Sequence, residues 1–245
     1  MSPRARSWTF LALAALAALV CARLGFWQLS RLEARRAANR TVLAARELPP
    51  VSLDDPASRA AFEAAPAADR RVEVTGRYDH AADLVLRDQS EGGVPGVKVV
   101  TPLLPLGHDT GILVIRGYVP SPDAMTVELD SLREPGVHTV RGYAVLIPSA
   151  PDRGAPAERQ GRLTLRRLDR AAIEERLPYP IRRYAIAQAP DTGLPAWPRR
   201  LPPPPLTDGP HLSYAVQWFS FAVMALVVGW AVGRKERKGG RRGPD

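Results

Sequence analysis

The feature that most constrains this chain is an uncharged stretch near its carboxyl end. Leu212–Gly233 contains no Asp, Glu, Lys or Arg and is rich in aliphatic and aromatic residues. As a helix it would be roughly 33 Å long, enough to cross the hydrocarbon core of a bilayer. Directly before it stands His211, whose imidazole can act as a metal ligand. The basic residues that follow it are Arg234, Lys235, Arg237, Lys238, Arg241 and Arg242.

A second apolar run opens the chain. Trp8–Leu29 contains one charged residue, Arg23, whose aliphatic stem allows the guanidinium to reach the membrane surface. We therefore predict a first transmembrane helix. The alternative is a cleaved signal peptide, because two arginines precede an apolar core and Val20-Cys21-Ala22 is a passable cleavage site.

The distribution of basic residues predicts the orientation of the second helix. Thr207–His211 carries no Lys or Arg, whereas the other flank carries six. By the positive-inside rule the carboxyl terminus faces the cytoplasm, and with two spans the amino terminus does so too. We expect a multi-pass protein of the bacterial plasma membrane whose central domain is extracytoplasmic.

Composition narrows the function. Much of the net charge of +9 lies in the basic tail, which favours contact with membrane lipids and gives no reason to expect a nucleic-acid partner. A single cysteine, Cys21, excludes an intrachain disulfide and a thiol-based copper or zinc site. No nucleophile, phosphate-loop or paired-carboxylate motif is present, so we do not expect an enzyme. His80, His108 and His138 lie at predicted turns or strand ends, where we expect them to be solvated.

The segment between the two apolar runs has mainly strand patterns. Strands are predicted at 71–78, where apolar and polar residues alternate, and at 83–87, 97–104, 111–119, 137–147 and 184–187, which are rich in apolar and β-branched residues. Asp169 is expected to cap a short helix over Arg170–Leu177, which Pro178 ends.

The predicted fold class is membrane-anchored α+β: two transmembrane helices flank an extracytoplasmic, antiparallel, β-rich domain that is barrel- or sandwich-like and carries a few short helices. The expected segments are 1–29 (N-terminal transmembrane helix), 30–70 (helical extension and linker), 71–190 (β-rich domain), 191–211 (Pro-rich connector), 212–233 (C-terminal transmembrane helix) and 234–245 (basic cytoplasmic tail).

Several motifs follow one another in a characteristic order. They are Leu24-Gly25-Phe26-Trp27-Gln28-Leu29-Ser30-Arg31-Leu32, Gly76-Arg77-Tyr78, Leu84-Val85-Leu86-Arg87, Gly96–Leu103, Leu113–Pro120 and His211–Phe219. In this order they resemble the SURF1 family, membrane-anchored assembly factors for haem–copper cytochrome oxidase. The chain departs from the family pattern at Ala34-Arg35, where Trp-Lys is usual, at Tyr118, where Trp is commonest, and at Gly209-Pro210, where Asn usually precedes the histidine.

The resemblance implies an assembly factor for an aa3-type cytochrome c oxidase. Such a protein would bind or present haem a and stabilise the core subunit while the cofactor is inserted. The implied partners are the haem-bearing core subunit and haem a synthase, and the protein would supply no metal site of its own beyond His211 as a ligand of the haem iron.

Residue chemistry agrees with that implication at the second span. His211, Tyr214 and Trp218 are spaced i, i+3 and i+7 and therefore share one helix face, where an imidazole could ligate iron and the rings could form apolar walls. Trp27 and Gln28 should lie at a similar depth. The alternative is an interfacial aromatic belt with no ligand.

Two arginines complete the candidate site residues. Arg31 and Arg116 are candidate partners for haem propionates or for an acidic partner surface. Alternatively, Arg116-Gly117 marks a bulge or a packing site within a strand. Two other functions stay open: a scaffold for oxidase subunits that never binds haem, and an extracytoplasmic sensor or binding module.

Overall fold

The computed structural model describes residues 3–151, 154 and 156–239. It divides into a helical unit, formed by the chain up to Thr41 together with the chain from Leu206, and a β unit, Val42–Pro205. Arg241 and Arg242 of the predicted basic tail lie outside the described residues. The β unit is wider than the predicted 71–190 segment because residues on both sides of that segment belong to it.

Two long helices dominate the helical unit. Helix α1 spans Pro3–Glu47, so the helix continues beyond the first apolar run as predicted, and it ends just before Pro49-Pro50, where the proline rings disfavour helical backbone. Helix α4 spans His211–Gly239. The stretches Trp8–Glu47 and His211–Arg234 are long and apolar enough to cross a membrane, and only 11% and 17% of their most apolar windows are buried. This exposure differs from that of core helices in soluble proteins and is compatible with a membrane-anchored protein.

The two helices pack against each other in opposite directions. A Cβ atom added to Gly25 would lie 2.7 Å from the Phe219 ring, and one added to Gly229 would lie 3.0 Å from Ala14. Residues near the start of α1 therefore lie beside residues near the end of α4, so the two helices are antiparallel. Small residues at this contact let two helices approach closely, which is how apolar helices associate when water supplies no driving force.

A five-stranded barrel forms the centre of the β unit. The strands are β1 (Val51–Ser52), β2 (Arg71–Tyr78), β3 (Leu84–Glu91), β4 (Val94–Pro105), β5 (Gly111–Pro120), β6 (Val137–Leu146), β7 (Ala157–Arg159), β8 (Arg162–Leu165) and β9 (Ile181–Gln188). They are ordered β1-β2-β6-β9-β5-β4-β3-β8-β7, and a further pairing of β2 with β4 closes the ring β2-β6-β9-β5-β4.

The prediction of a purely antiparallel sheet is wrong at one barrel pair, β5 with β9, which is parallel. The other four barrel pairs are antiparallel. The reason is geometric, since a closed ring with an odd number of strands cannot alternate in direction throughout. Outside the barrel, β1 on β2 and β8 on β3 are also parallel.

Short helices complete the β unit. Helix α2 (Pro56–Ala64) places Phe62 in the apolar cluster that fills the barrel, where its ring meets that of Tyr184 edge-on at 5.0 Å. Helix α3 (Arg170–Glu174) begins as predicted, with the Asp169 carboxylate accepting a hydrogen bond from Ala172 N, and it buries Ile173 in a second apolar cluster. Leu53 and Phe62 belong to the core, which explains why the compact unit begins before residue 71.

Candidate functional site

The helical unit brings His211 and Gln28 together. The Gln28 side chain is 9% exposed on the face of α1 that packs on α4, and its Oε1 lies 2.9 Å from His211 Nδ1. A buried amide in an apolar helix contact is costly without a partner, and His211 supplies one. Because a carbonyl oxygen only accepts hydrogen bonds, Nδ1 is the donor in this contact.

A cavity of about 350 Å³ lies beside this imidazole. It is lined by Arg31, Ala34, Arg35, Ala38, Gly209 and His211. A Cβ atom added to Gly209 would lie 3.7 Å from His211 Nε2, and the φ of Gly209 is +70°, a conformation that side-chain-bearing residues rarely adopt. The glycine thus provides the turn into α4 and leaves the space next to Nε2 open.

Hydrogen bonds from α1 hold the turn that leads into α4. The Thr207 carbonyl accepts from Arg35 Nε at 3.3 Å and from Asn39 Nδ2 at 3.1 Å, and Arg36 Nε pairs with Asp208 at 2.8 Å. These contacts fix the backbone immediately before Gly209 and His211. Sequence reasoning missed them, although polar residues recurring along one side of α1 beyond the apolar run were a signal for a second contact surface.

The other predicted residues of the two spans lie outside the cavity. Tyr214 is 46% exposed, and Trp218 is half-buried with its ring centroid 5.9 Å from that of Phe221. Trp27 is largely exposed. By helical spacing Tyr214 and Trp218 share a side of α4 with His211, at about 5 and 10 Å further along the axis. The structure therefore gathers His211, Gln28 and Arg31 in one place and leaves the aromatic side chains as neighbouring surface.

Arg116 lies inside the β unit, not on its surface. Strand β5 has a bulge here, since Val99 pairs with Gly117 and Val100 with Ile115, and the extra residue points its fully buried side chain inward. The guanidinium binds the Leu132 carbonyl and lies 2.5 Å from Glu134 Oε1. A role for Arg116 in direct contact with propionates or a partner surface is therefore corrected to a packing role, which was the alternative interpretation of Arg116-Gly117.

Gly117 lets a distant segment approach β5. A Cβ at this position would lie 2.6 Å from the Arg199 carbonyl oxygen. That closeness allows Tyr118 and Arg199 to exchange two backbone hydrogen bonds, both 2.9 Å long. The chain that leaves β9 is thereby tied back onto the barrel as an extra bridge.

Glu134 is shared by two buried arginines. Its carboxylate pairs with Arg116 and with Arg200, and the three side chains are 7%, 0% and 4% exposed. Arg200 also donates to Gln188 Oε1 at 3.1 Å and to the Pro195 and Pro198 carbonyls at 3.0 Å. Burial works to raise the pKa of Glu134, but the hydrogen bonds and charges of both guanidinium groups hold it below its ordinary value.

His80 belongs to the same buried group, so the expectation that it is solvated is wrong. Its side chain is 12% exposed, its Nε2 accepts from Glu134 N at 3.0 Å and its Nδ1 lies 3.3 Å from Asp83 Oδ2. Asp83 in turn accepts from the Thr101 hydroxyl. His138 is also partnered, with Nε2 3.0 Å from the Glu134 carbonyl. No local pattern marks the contact between His80 and Glu134, because 54 positions separate the two residues.

Comparison with known proteins supplies one match. The model of the SURF1 family matches residues 15–223, which includes most of α1, the whole β unit and the first half of α4. No match was found among curated proteins.

Proposed function

Because the chain belongs to the SURF1 family, an assembly-factor family, we propose that it is a membrane-anchored assembly factor for cytochrome c oxidase. The finer proposal is that it binds or presents haem a at the helical unit and stabilises the haem-bearing core subunit while the cofactor is inserted. Haem a synthase is the second proposed protein partner, since it would supply the cofactor.

One observation carries the haem proposal: Gln28 Oε1 lies 2.9 Å from His211 Nδ1. Histidines that ligate metals usually donate their other ring N–H to an oxygen acceptor, which fixes the tautomer and raises the basicity of the free nitrogen. Here Gln28 is that acceptor, and His211 Nε2 is left as the ligating atom beside an open cavity.

The residues around the cavity fit a haem. When bound, haem would supply an iron that takes an imidazole ligand, together with two carboxylates and an apolar ring. His211 presents a bare imidazole nitrogen, and Arg31 presents a guanidinium to a carboxylate. Tyr214 and Trp218 lie outside the cavity on the same side of α4 and would offer apolar surface next to it.

The proposed orientation places this site at the outer face of the bacterial plasma membrane. The basic residues that follow the α4 span favour a cytoplasmic carboxyl terminus. Antiparallel packing of α1 and α4 supports both termini being on that side, with the β unit extracytoplasmic. A scaffold that binds oxidase subunits without haem is the second candidate, favoured by the exposed aromatic rings of Trp27 and Tyr214.

The test is haem occupancy of the full-length protein. We would co-express it with haem a synthesis, purify it in detergent and measure haem per protein together with the low-spin absorption spectrum. His211→Ala should lose the bound haem. His108→Ala is the matched control, because that histidine lies in a turn of the β unit and its side chain forms no hydrogen bond with a described residue.

Two outcomes would count against the proposal. Equal haem content in His211→Ala and in the unchanged protein would remove His211 as the ligand. A protein that never copurifies with haem, yet still restores oxidase assembly in a deletion strain, would favour the scaffold.

A further inference from the structure

We propose that Arg31 and Arg35 bind the phosphodiester of an anionic phospholipid in the cavity beside His211. The proposal depends on the membrane embedding stated above and does not depend on haem binding. The two guanidinium groups indicate a phosphate ligand, and the depth of the cavity indicates that this phosphate belongs to a lipid.

The cavity offers hydrogen-bond donors without an acceptor. The guanidinium of Arg31 forms no hydrogen bond with a described residue, and among those residues Arg35 binds only the Thr207 carbonyl, through Nε. The two side chains stand one turn apart on α1 and both line the cavity. Guanidinium groups recognise phosphate oxygens through paired N–H donors.

No acidic side chain among the described residues neutralises this pair at close range. Glu33 lies two positions from each arginine and therefore on the opposite side of α1. Asp208 is occupied by Arg36 at 2.8 Å. The cavity is completed by Ala34, Ala38, Gly209 and His211, so its walls are small and its volume of about 350 Å³ is free for a head group.

The depth of the cavity favours a lipid over a soluble phosphate. Trp27 is exposed where the apolar part of α1 ends, and Arg31 follows about 6 Å further along the helix axis. The head-group layer is roughly 5–8 Å thick on each side of a bilayer, so Arg31 lies at the level of the phosphates. Arg35 is about one turn further out, but helix side chains lean toward the amino end, which here is the membrane side.

The consequence is a cavity that a lipid phosphate fills while no cargo is present. A carboxylate entering beside His211 would have to displace that phosphate from Arg31. The head group would also shield two adjacent positive charges that otherwise repel each other at the membrane surface.

Native mass spectrometry of the full-length, haem-free protein in a neutral detergent tests the proposal. Phosphatidylglycerol is titrated and bound lipid is counted for the unchanged protein and for Arg31→Gln/Arg35→Gln. We expect the double variant to bind about 30-fold more weakly, the equivalent of about 1 kcal/mol for each arginine. Arg40→Gln removes one positive charge from α1 at a position that does not line the cavity and should change binding by less than about threefold.

A second variant tests the free space in the cavity while leaving its charge unchanged. Ala34→Leu keeps both arginines but fills the space between them, and it should also weaken lipid binding at least about tenfold. Phosphatidylcholine should bind more weakly than phosphatidylglycerol, because its ammonium group is repelled by the arginines. Glycerol 3-phosphate should fail to compete at millimolar concentration.

Four results would overturn the proposal. Equal weakening by Arg40→Gln would indicate general attraction to charge. Unchanged binding by either cavity variant would remove the site. Equal binding of phosphatidylcholine would remove the preference for an anionic lipid, and competition by glycerol 3-phosphate would assign the site to a soluble phosphate. Because no haem is present, failure here leaves the haem proposal untouched, and loss of haem binding in His211→Ala leaves this result untouched.

Discussion

Replacing Glu134 by Gln should destabilise the β unit by removing a buried counter-charge. The buried group contains two guanidiniums, those of Arg116 and Arg200, and two carboxylates, those of Glu134 and Asp83. Among the described residues, Glu134 is the only acidic side chain that forms an ion pair with Arg116 or Arg200, so the substitution leaves two guanidiniums without that counter-charge in surroundings that water barely reaches.

The expected magnitude follows from the burial of all three partners. Removing one member of a buried ion pair typically costs 3–5 kcal/mol. The glutamine amide introduced by Glu134→Gln would retain one oxygen acceptor, so we expect about 3 kcal/mol. For a unit of this size each kcal/mol lowers the melting temperature by about 2–4 °C, which gives a decrease of about 6–12 °C.

Thermal unfolding of the full-length protein in detergent, followed by circular dichroism at a strand-sensitive wavelength, measures this decrease. Glu73→Gln is the matched control, because Glu73 pairs with Arg141 at 3.1 Å on the solvent-facing side of β2 and β6. Exposed pairs contribute about 0–1 kcal/mol, so the control should melt within about 4 °C of the unchanged protein. Equal melting temperatures for Glu134→Gln and the unchanged protein would refute the buried-charge argument.

The difference in stability between the unchanged protein and Glu134→Gln should depend on pH in one direction. The pKa of Glu134 is lower in the folded state than its ordinary value, so its contribution is fully present above the ordinary carboxyl range and is lost as pH falls through the folded pKa. The gap in stability between the unchanged protein and Glu134→Gln should therefore be constant near neutral pH and should shrink below about pH 4. A gap that widens on acidification would contradict this sign.

Two further predictions concern Gln28 and Gly117. Gln28→Leu removes the acceptor of His211 Nδ1 and should weaken haem binding about 10–100-fold. Gln28→Glu keeps an oxygen at this position, so it should restore the affinity and shift the midpoint potential of the bound haem. Unchanged affinity and potential in Gln28→Leu would show that the hydrogen bond does not tune the ligand. Gly117→Ala places a Cβ about 2.6 Å from the Arg199 carbonyl oxygen and should lower the stability of the β unit by about 2 kcal/mol, measured by urea unfolding. Gly136→Ala is the control for backbone strain alone, because its added Cβ meets no atom within 4 Å. Equal losses of stability in the two variants would show that the close approach of Arg199 is not the cause.

Much of the strand pattern could be predicted because it is local. The alternation in Arg71–Tyr78 was sufficient to place β2, and the predicted cap at Asp169 is the observed one. The short strands β7 and β8 were missed because neither is long enough to show a period. The place of β9 between β5 and β6 depends on barrel closure, which no short stretch of sequence encodes.

Part of the candidate site could also be predicted, because that part depends on local spacing in the sequence. The spacing of His211, Tyr214 and Trp218 gives a shared helix side, and the end of the first apolar run placed Gln28 at a similar depth. That Gln28 and His211 form a hydrogen bond could not be inferred from spacing, because 183 positions separate them. Arg116 was misjudged because an arginine inside a strand is usually exposed, and its partners Glu134, Leu132 and Thr101, all from outside the strand, compensate the free energy of burying it.

The hydrogen bonds and ion pairs that position His211 and Arg200 each lie within one unit. In the helical unit, His211 is positioned by Gln28 and by the contacts of Thr207 and Asp208 with α1, all within that unit. In the β unit, Arg200 is fixed by Glu134 and Gln188, again within one unit. Substitutions at positions without shared partners act additively. Glu134→Gln should therefore lower the melting temperature without changing haem occupancy of the folded protein, and His211→Ala should do the reverse. Coupling between the two in the double variant would mean that the β unit takes part in holding the cofactor.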